Sequence, residues 1–159
     1  MVDFNKLKWD NRFIHMAFLV SKWSKDPSTQ VGAVIADDRH RVVSIGYNGF
    51  PKGMNDDEAL YANREVKYER IIHAEINALM NANRSVEGCT LYLTPFFPCP
   101  RCTVQLIQAG IRRIVYVEHG SESPFYEAQQ RWNNTTSLAM CKEVGIQTRS
   151  ILWRSFKNE

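Results

Sequence analysis

The chain has 159 residues, 44% of them apolar and 23% charged, with 20 basic against 17 acidic side chains and a formal charge of +3. That balance excludes a disordered chain, and the length predicts one domain over 1–159 with a core large enough to do without disulfide staples. No run approaches about 18 apolar residues, the N-terminus lacks the layout of a secretory signal, and the +3 charge includes no basic stripe, so a membrane span, export and a nucleic-acid partner are not expected.

In chain order, residues 9–24 place Trp9, Phe13, Met16, Ala17, Val20 and Trp23 at helical spacing, and Asp26-Pro27 ends the pattern. The short apolar runs at 31–36 and 41–46, separated by the Asp37-Asp38 turn, predict a hairpin. Asn48-Gly49 turns the chain, and 52–70 is a polar stretch with one short helix near 57–66. The second half alternates: helix 74–83, strand 89–94, helix 99–109, strand 113–117, a mostly helical 125–144 and a last strand 146–152. Helices alternating with strands predict an α/β layered domain, and the opening hairpin makes its five-stranded sheet mixed.

Three fragments carry chemistry. Cys99 and Cys102 open a helix directly after a strand, at a spacing that puts both thiols on one turn near the positive helix end. That layout suits zinc, and equally a thioredoxin-like redox pair. Cytoplasmic, reduced thiols favour metal or catalysis over bridging. His73-Ala74-Glu75 begins another helix, and H-x-E followed by P-C-x-x-C is the ordered signature of zinc deaminases of cytosine or adenine bases. One His and two Cys leave a fourth position for water, as in a catalytic zinc, which lowers the pKa of that water toward about 7. Glu75, two residues from His73, would shuttle the proton without binding the metal. Cys89 and Cys141 have no ligand-spaced partner and suit core packing.

Most of the chain, roughly 9–118, resembles the deoxycytidylate (dCMP) deaminases. The resemblance rests on SKDPSTQVGAVI, GYNGFPKG, HAEINALM, GCTLYL, FPCPRC and LIQAGIRRIVY. It implies a three-layer α/β/α cytidine-deaminase-like fold, conversion of dCMP and water to dUMP and ammonia for thymidylate supply, one catalytic Zn2+ on His73, Cys99 and Cys102, and Glu75 as general acid/base. Residues 52–72 hold no Cys or His, so no second zinc is expected there. Asn48 matches a sugar-contacting position and is also a natural turn residue; an amide can both donate to and accept from a hydroxyl. Lys25, Ser28 and Thr29 are candidates for the 5′-phosphate, though each also suits an exposed cap or turn. Ala74, Phe97 and Tyr126 complete the candidate substrate contacts. Phe96 and Phe125 are further candidates to stack on the base, and Phe97 also suits the core. Many members of this family are hexamers controlled by dCTP and dTTP, so a homo-oligomer (hexamer or dimer) is expected, with those nucleotides as possible effectors. The stretch 121–138 matches poorly and bears on substrate choice or a subunit contact. The alternatives are the same chemistry on a 5-substituted dCMP or another cytosine nucleotide, a tRNA or single-stranded DNA deaminase, a redox protein, or a structural zinc module.

Overall fold

The computed structural model describes residues 3–157. The Asp3 carboxylate accepts from the backbone N–H of Lys6, and this cap starts α1 (Phe4–Ser21) well ahead of its apolar stripe. Phe13, Ile14, Ala17 and Val20 face inward, whereas Trp23 lies beyond the helix end and is 52% exposed.

The strands β1 (Gly32–Ala36) and β2 (Val42–Tyr47) form the expected antiparallel hairpin. Every residue of β1 is buried. Ala33 and Ile35 enter one core and Val34 and Ala36 the other, which is why this segment reads as continuously apolar. The polar stretch folds into two helices, α2 (Glu58–Ala62) and α3 (Arg64–Arg70), in place of one. Extended backbone at Asn63 ends the first, and its side chain caps the second by accepting from Val66 N–H.

The remaining elements are α4 (Ala74–Asn81), β3 (Thr90–Thr94), α5 (Pro100–Gln108), β4 (Arg113–Glu118), α6 (Tyr126–Arg131), α7 (Thr135–Glu143), β5 (Gln147–Leu152) and α8 (Trp153–Lys157). Two of these depart from expectation. The helix expected over 125–144 is interrupted at 132–134, where Trp132 takes extended backbone, and a short helix follows the last strand.

The sheet runs β2-β1-β3-β4-β5, antiparallel up to β3 and parallel from β3 to β5. Helices cover both faces, the three-layer α/β/α arrangement. One core joins α4, α5 and α7 to the sheet through Ala78, Leu91, Leu106, Ile114 and Cys141, and it also takes Cys89. The other joins α1 and Trp153 to the opposite face through Ile14, Val34, Val115 and Ile151. Each fully buried aliphatic side chain contributes roughly 1.5–3 kcal/mol. Within that second layer Asp10 is buried: Arg113 grips it with two hydrogen bonds of 2.7 and 2.6 Å, Tyr92 donates at 3.0 Å, and Arg149 closes the cluster. It ties α1 to β3, β4 and β5.

Register brings one end of the sheet together. Gly32, the first residue of β1, pairs with Tyr47 at the end of β2 and Thr94 at the end of β3. The segments just outside these residues therefore meet: the loop before β1, Asn48, and the stretch leading to Cys99. Gly46 has no side chain because the backbone of α4 at Ala74 and Ala78 fills the space a Cβ would need. That close approach sets the start of α4 at the same end.

Candidate active site

Two helix N-termini converge here. His73 precedes α4 with extended backbone and makes no capping bond, which leaves its imidazole for the two cysteine sulfurs. Cys99 occupies the equivalent place before α5, with Pro100 as the first helical residue and Cys102 within the first turn. His73 Nδ1 lies 3.7 Å from Cys99 Sγ and 3.3 Å from Cys102 Sγ, and the three donor atoms all fall within 4.8 Å of one another. Tetrahedral zinc with ordinary Zn–N and Zn–S lengths separates a nitrogen from a sulfur ligand by about 3.6 Å. The donor set and its spacing fit that ion, and these residues could hold it.

Charge is poised accordingly. A hydrogen bond from the Cys102 thiol, with a further one from His73, holds the Cys99 thiol down to about 4 against the opposing effect of burial. Cys102 is pushed up by the same bond to Cys99 and by burial. The contact with Cys99 raises His73, which burial opposes. A bound divalent cation would draw both sulfurs to thiolate. Glu75, in the first turn of α4, is 3% exposed, and burial pushes its carboxyl up although the His73 charge pulls the other way. A carboxyl held above its ordinary range beside a metal site suits proton transfer near neutral pH.

A cavity of about 180 Å³ opens beside His73 and Glu75. Its lining has a polar group, Asp26, Thr29, Asn48 and Lys67, joined by hydrogen bonds and an ion pair, and an aromatic group in which Phe96, Phe97 and Trp132 touch one another, with Tyr68 as a further aromatic residue. Both N–H donors of the Asn48 amide are engaged, to Thr29 O at 2.9 Å and Asp26 Oδ2 at 3.2 Å, and its oxygen accepts from Val31 N–H at 2.8 Å with a second lone pair left. Asp26 also accepts from the backbone N–H groups of Ser28 and Thr29 and pairs with Lys67 Nζ at 2.7 Å.

The structure brings His73, Ala74, Glu75, Asn48, Thr29 and Phe97 to this cavity, with Cys99 and Cys102 against His73. Three other candidates lie outside its lining. The Lys25 side chain is 65% exposed and pairs with Asp56 at 2.7 Å. Ser28 lines a neighbouring depression, which also takes Phe125. Tyr126 sits on α6, 37% exposed. Phe96 reaches the cavity, whereas Phe125 packs behind it with ring centroids 6.1 Å apart. Sequence reasoning missed Asp26, Lys67 and Trp132. Asp26 read as part of a helix stop, Lys67 as one of many charges in 52–70, and Trp132 as helix interior.

Comparison with known proteins agrees with the geometry. The family described as cytidine and deoxycytidylate deaminase zinc-binding region matches residues 7–118. An uncharacterized deaminase of Aliivibrio fischeri, from the luxG 3′ region, is 51% identical over 142 residues, 88% of this chain and 91% of that one. The deoxycytidylate deaminase of Mus musculus is 42% identical over 125 residues, covering 73% of this chain and 70% of the mouse protein. The human deoxycytidylate deaminase is 41% identical over 117 residues, 70% of this chain but 65% of the human protein. The solved dCMP deaminase of cyanophage S-TIM5, in complex with dCMP and dUMP, shares the fold with a TM-score of 0.69 at 23% identity, covering 95% of this chain and 99% of that one.

Proposed function

This chain belongs to the cytidine and deoxycytidylate deaminase family, and from that premise we propose that it hydrolyses dCMP to dUMP and ammonia, with residues 1–159 acting as a single domain. One observation carries the reading: His73 Nδ1 and the Cys99 and Cys102 sulfurs converge within 4.8 Å, beside the buried Glu75, at a cavity lined by a polar and an aromatic group. The relatives named deoxycytidylate deaminase support dCMP as the substrate.

A zinc ion held by His73, Cys99 and Cys102 would supply Lewis acidity that makes water a nucleophile at neutral pH. Glu75 takes the proton released from that water and delivers it to ring N3 as the new C4–oxygen bond forms. It then carries the second water proton to the exocyclic nitrogen, the C4–nitrogen bond breaks, and ammonia leaves. Its burial lets the carboxyl hold a proton between these steps.

Within the polar group, Asn48 cross-links the 24–31 loop to the end of β2, and Lys67 neutralises Asp26. Lys67 is the sole Lys or Arg of the cavity lining among the described residues. An ammonium has three donors, so one bond to Asp26 leaves others for a phosphate oxygen. In this reading Thr29 and Lys67 take the phosphate side. Their place in the lining supports them, and the exposure of Lys25 speaks against that residue. The same reading includes self-association, action on free nucleotides in the cytoplasm, and dCTP and dTTP as candidate effectors.

The test is a panel of dCMP, deoxycytidine, CMP, dCTP and 5-methyl-dCMP given to zinc-loaded protein, with ammonia release measured. The highest kcat/KM is expected for dCMP. A preference for deoxycytidine overturns the phosphate assignment, and a preference for another nucleotide overturns the substrate.

A further inference from the structure

The break between α6 and α7 places Trp132 at the cavity. A continuous helix would keep residue 132 on its cylinder. The extended backbone at Trp132 (φ −86°, ψ 97°) takes the side chain off that cylinder. The indole then meets the segment that leads to Cys99. Its Nε1–H donates to Phe97 O at 2.9 Å, and its ring lies against Phe96 with centroids 5.5 Å apart and planes 20° from parallel. It lines the same cavity as His73 and Glu75.

Three features point to a ligand contact and not to core packing alone. Trp132 is 36% exposed, so a large apolar ring stands partly in solvent beside the cavity. Its one polar atom is already satisfied by Phe97 O, which fixes the ring's orientation while leaving ring surface uncovered. Trp132 also lies beyond residues 7–118, so this wall comes from outside the part of the chain that matches the zinc-binding family model. The His73, Cys99, Cys102 and Glu75 chemistry is all inside that region.

We propose that Trp132 is a substrate-binding residue, which completes the base subsite with Phe96 by holding the planar pyrimidine ring. The inference rests on the deaminase reading and adds the residue that grips the base. A π-face contact is indifferent to whether the ring carries an amino or an oxo group, so it binds dCMP and dUMP alike. Such uniform binding appears in KM and in product affinity and leaves kcat nearly untouched.

The test uses zinc-loaded wild type, W132A and W132F. The dUMP dissociation constant is measured by calorimetry and dCMP turnover by ammonia release. Base–aromatic stacking predicts that W132A weakens dUMP binding and raises KM on the order of tenfold, with kcat within about twofold. W132F keeps an aromatic ring and falls between. Unchanged dUMP affinity in W132A with zinc retained overturns the inference, as does a loss confined to kcat. Should W132A fail to fold, W132F decides: dUMP quenches indole fluorescence in wild type and loses most of that quenching in W132F, and an identical quench in both overturns the inference. A wild type that binds dUMP but does not deaminate dCMP refutes the substrate reading instead, whatever the variants do.

Discussion

Lys67 Nζ sits 2.7 Å from Asp26 Oδ2 in the wall of the cavity, with the aspartate side chain 1% exposed and the lysine 15%. Removing the lysine takes the one counter-charge from a buried carboxylate that then keeps only its hydrogen bonds from Ser28, Thr29 and Asn48. Lys67→Met is therefore expected to lower stability on the order of 3 kcal/mol, read from urea unfolding. It should also lower kcat/KM for dCMP more than for deoxycytidine, because the cavity then lacks its one lysine. Equal losses on both substrates would show that Lys67 only braces the loop.

Cys99 and Cys102, which could hold zinc, are separable by experiment from the other cysteines. Cys99→Ser is expected to reduce metal content from about one zinc per chain to well below it, measured by elemental analysis after dialysis. Cys89→Ser should keep its zinc, since Cys89 lies in the core. Chelation should lower the melting temperature of wild type and leave that of Cys99→Ser nearly unmoved, because binding energy in a folded metal site is folding energy.

The Asp10 cluster predicts a pH dependence. Burial pushes the Asp10 carboxyl up, but the hydrogen bonds and charge of Arg113, with Tyr92 and Arg149, win and hold it below the usual carboxylate range. A carboxyl lowered on folding contributes stability that is present above its unfolded value of about 3.9 and is lost as pH falls through the folded value. Wild type should therefore lose stability in acid below about pH 4. Asp10→Asn should be less stable at neutral pH by about 3 kcal/mol, with Arg113 left buried and uncompensated. Its deficit should shrink in acid. Urea midpoints at pH 7 and pH 3 check this, and a constant deficit would contradict the assignment.

Much of this was legible in the sequence because it is local. His73 and Glu75 are two residues apart and Cys99 and Cys102 three, and the apolar pattern that follows each pair places it at a helix start. The five strands follow from apolar runs, and the packing role of Cys89 and of Cys141 from the lack of a ligand-spaced partner for either. Lys67 and Asp26 were hidden because their meaning is the contact between them, which needs α3 folded against the loop before β1. Lys25 looked equally fit for a phosphate, and it is the fold that leaves its side chain 65% exposed and outside the cavity lining. Trp132 was hidden by a helix break with neither glycine nor proline to mark it. The adjacent Asn133-Asn134-Thr135-Thr136, poor helix formers all, was the available signal.

In the proposed reaction Glu75 moves the protons at a cation held by His73, Cys99 and Cys102. Glu75→Gln keeps the shape of the site and removes only the titrating group. Zinc content and dUMP formation from dCMP should be measured on one preparation of each protein. Both are expected to hold about one zinc per chain, with dUMP formed by wild type and slowed at least 10²- to 10⁴-fold in the variant. Turnover by zinc-loaded Glu75→Gln within tenfold of wild type would show that Glu75 is not the proton carrier.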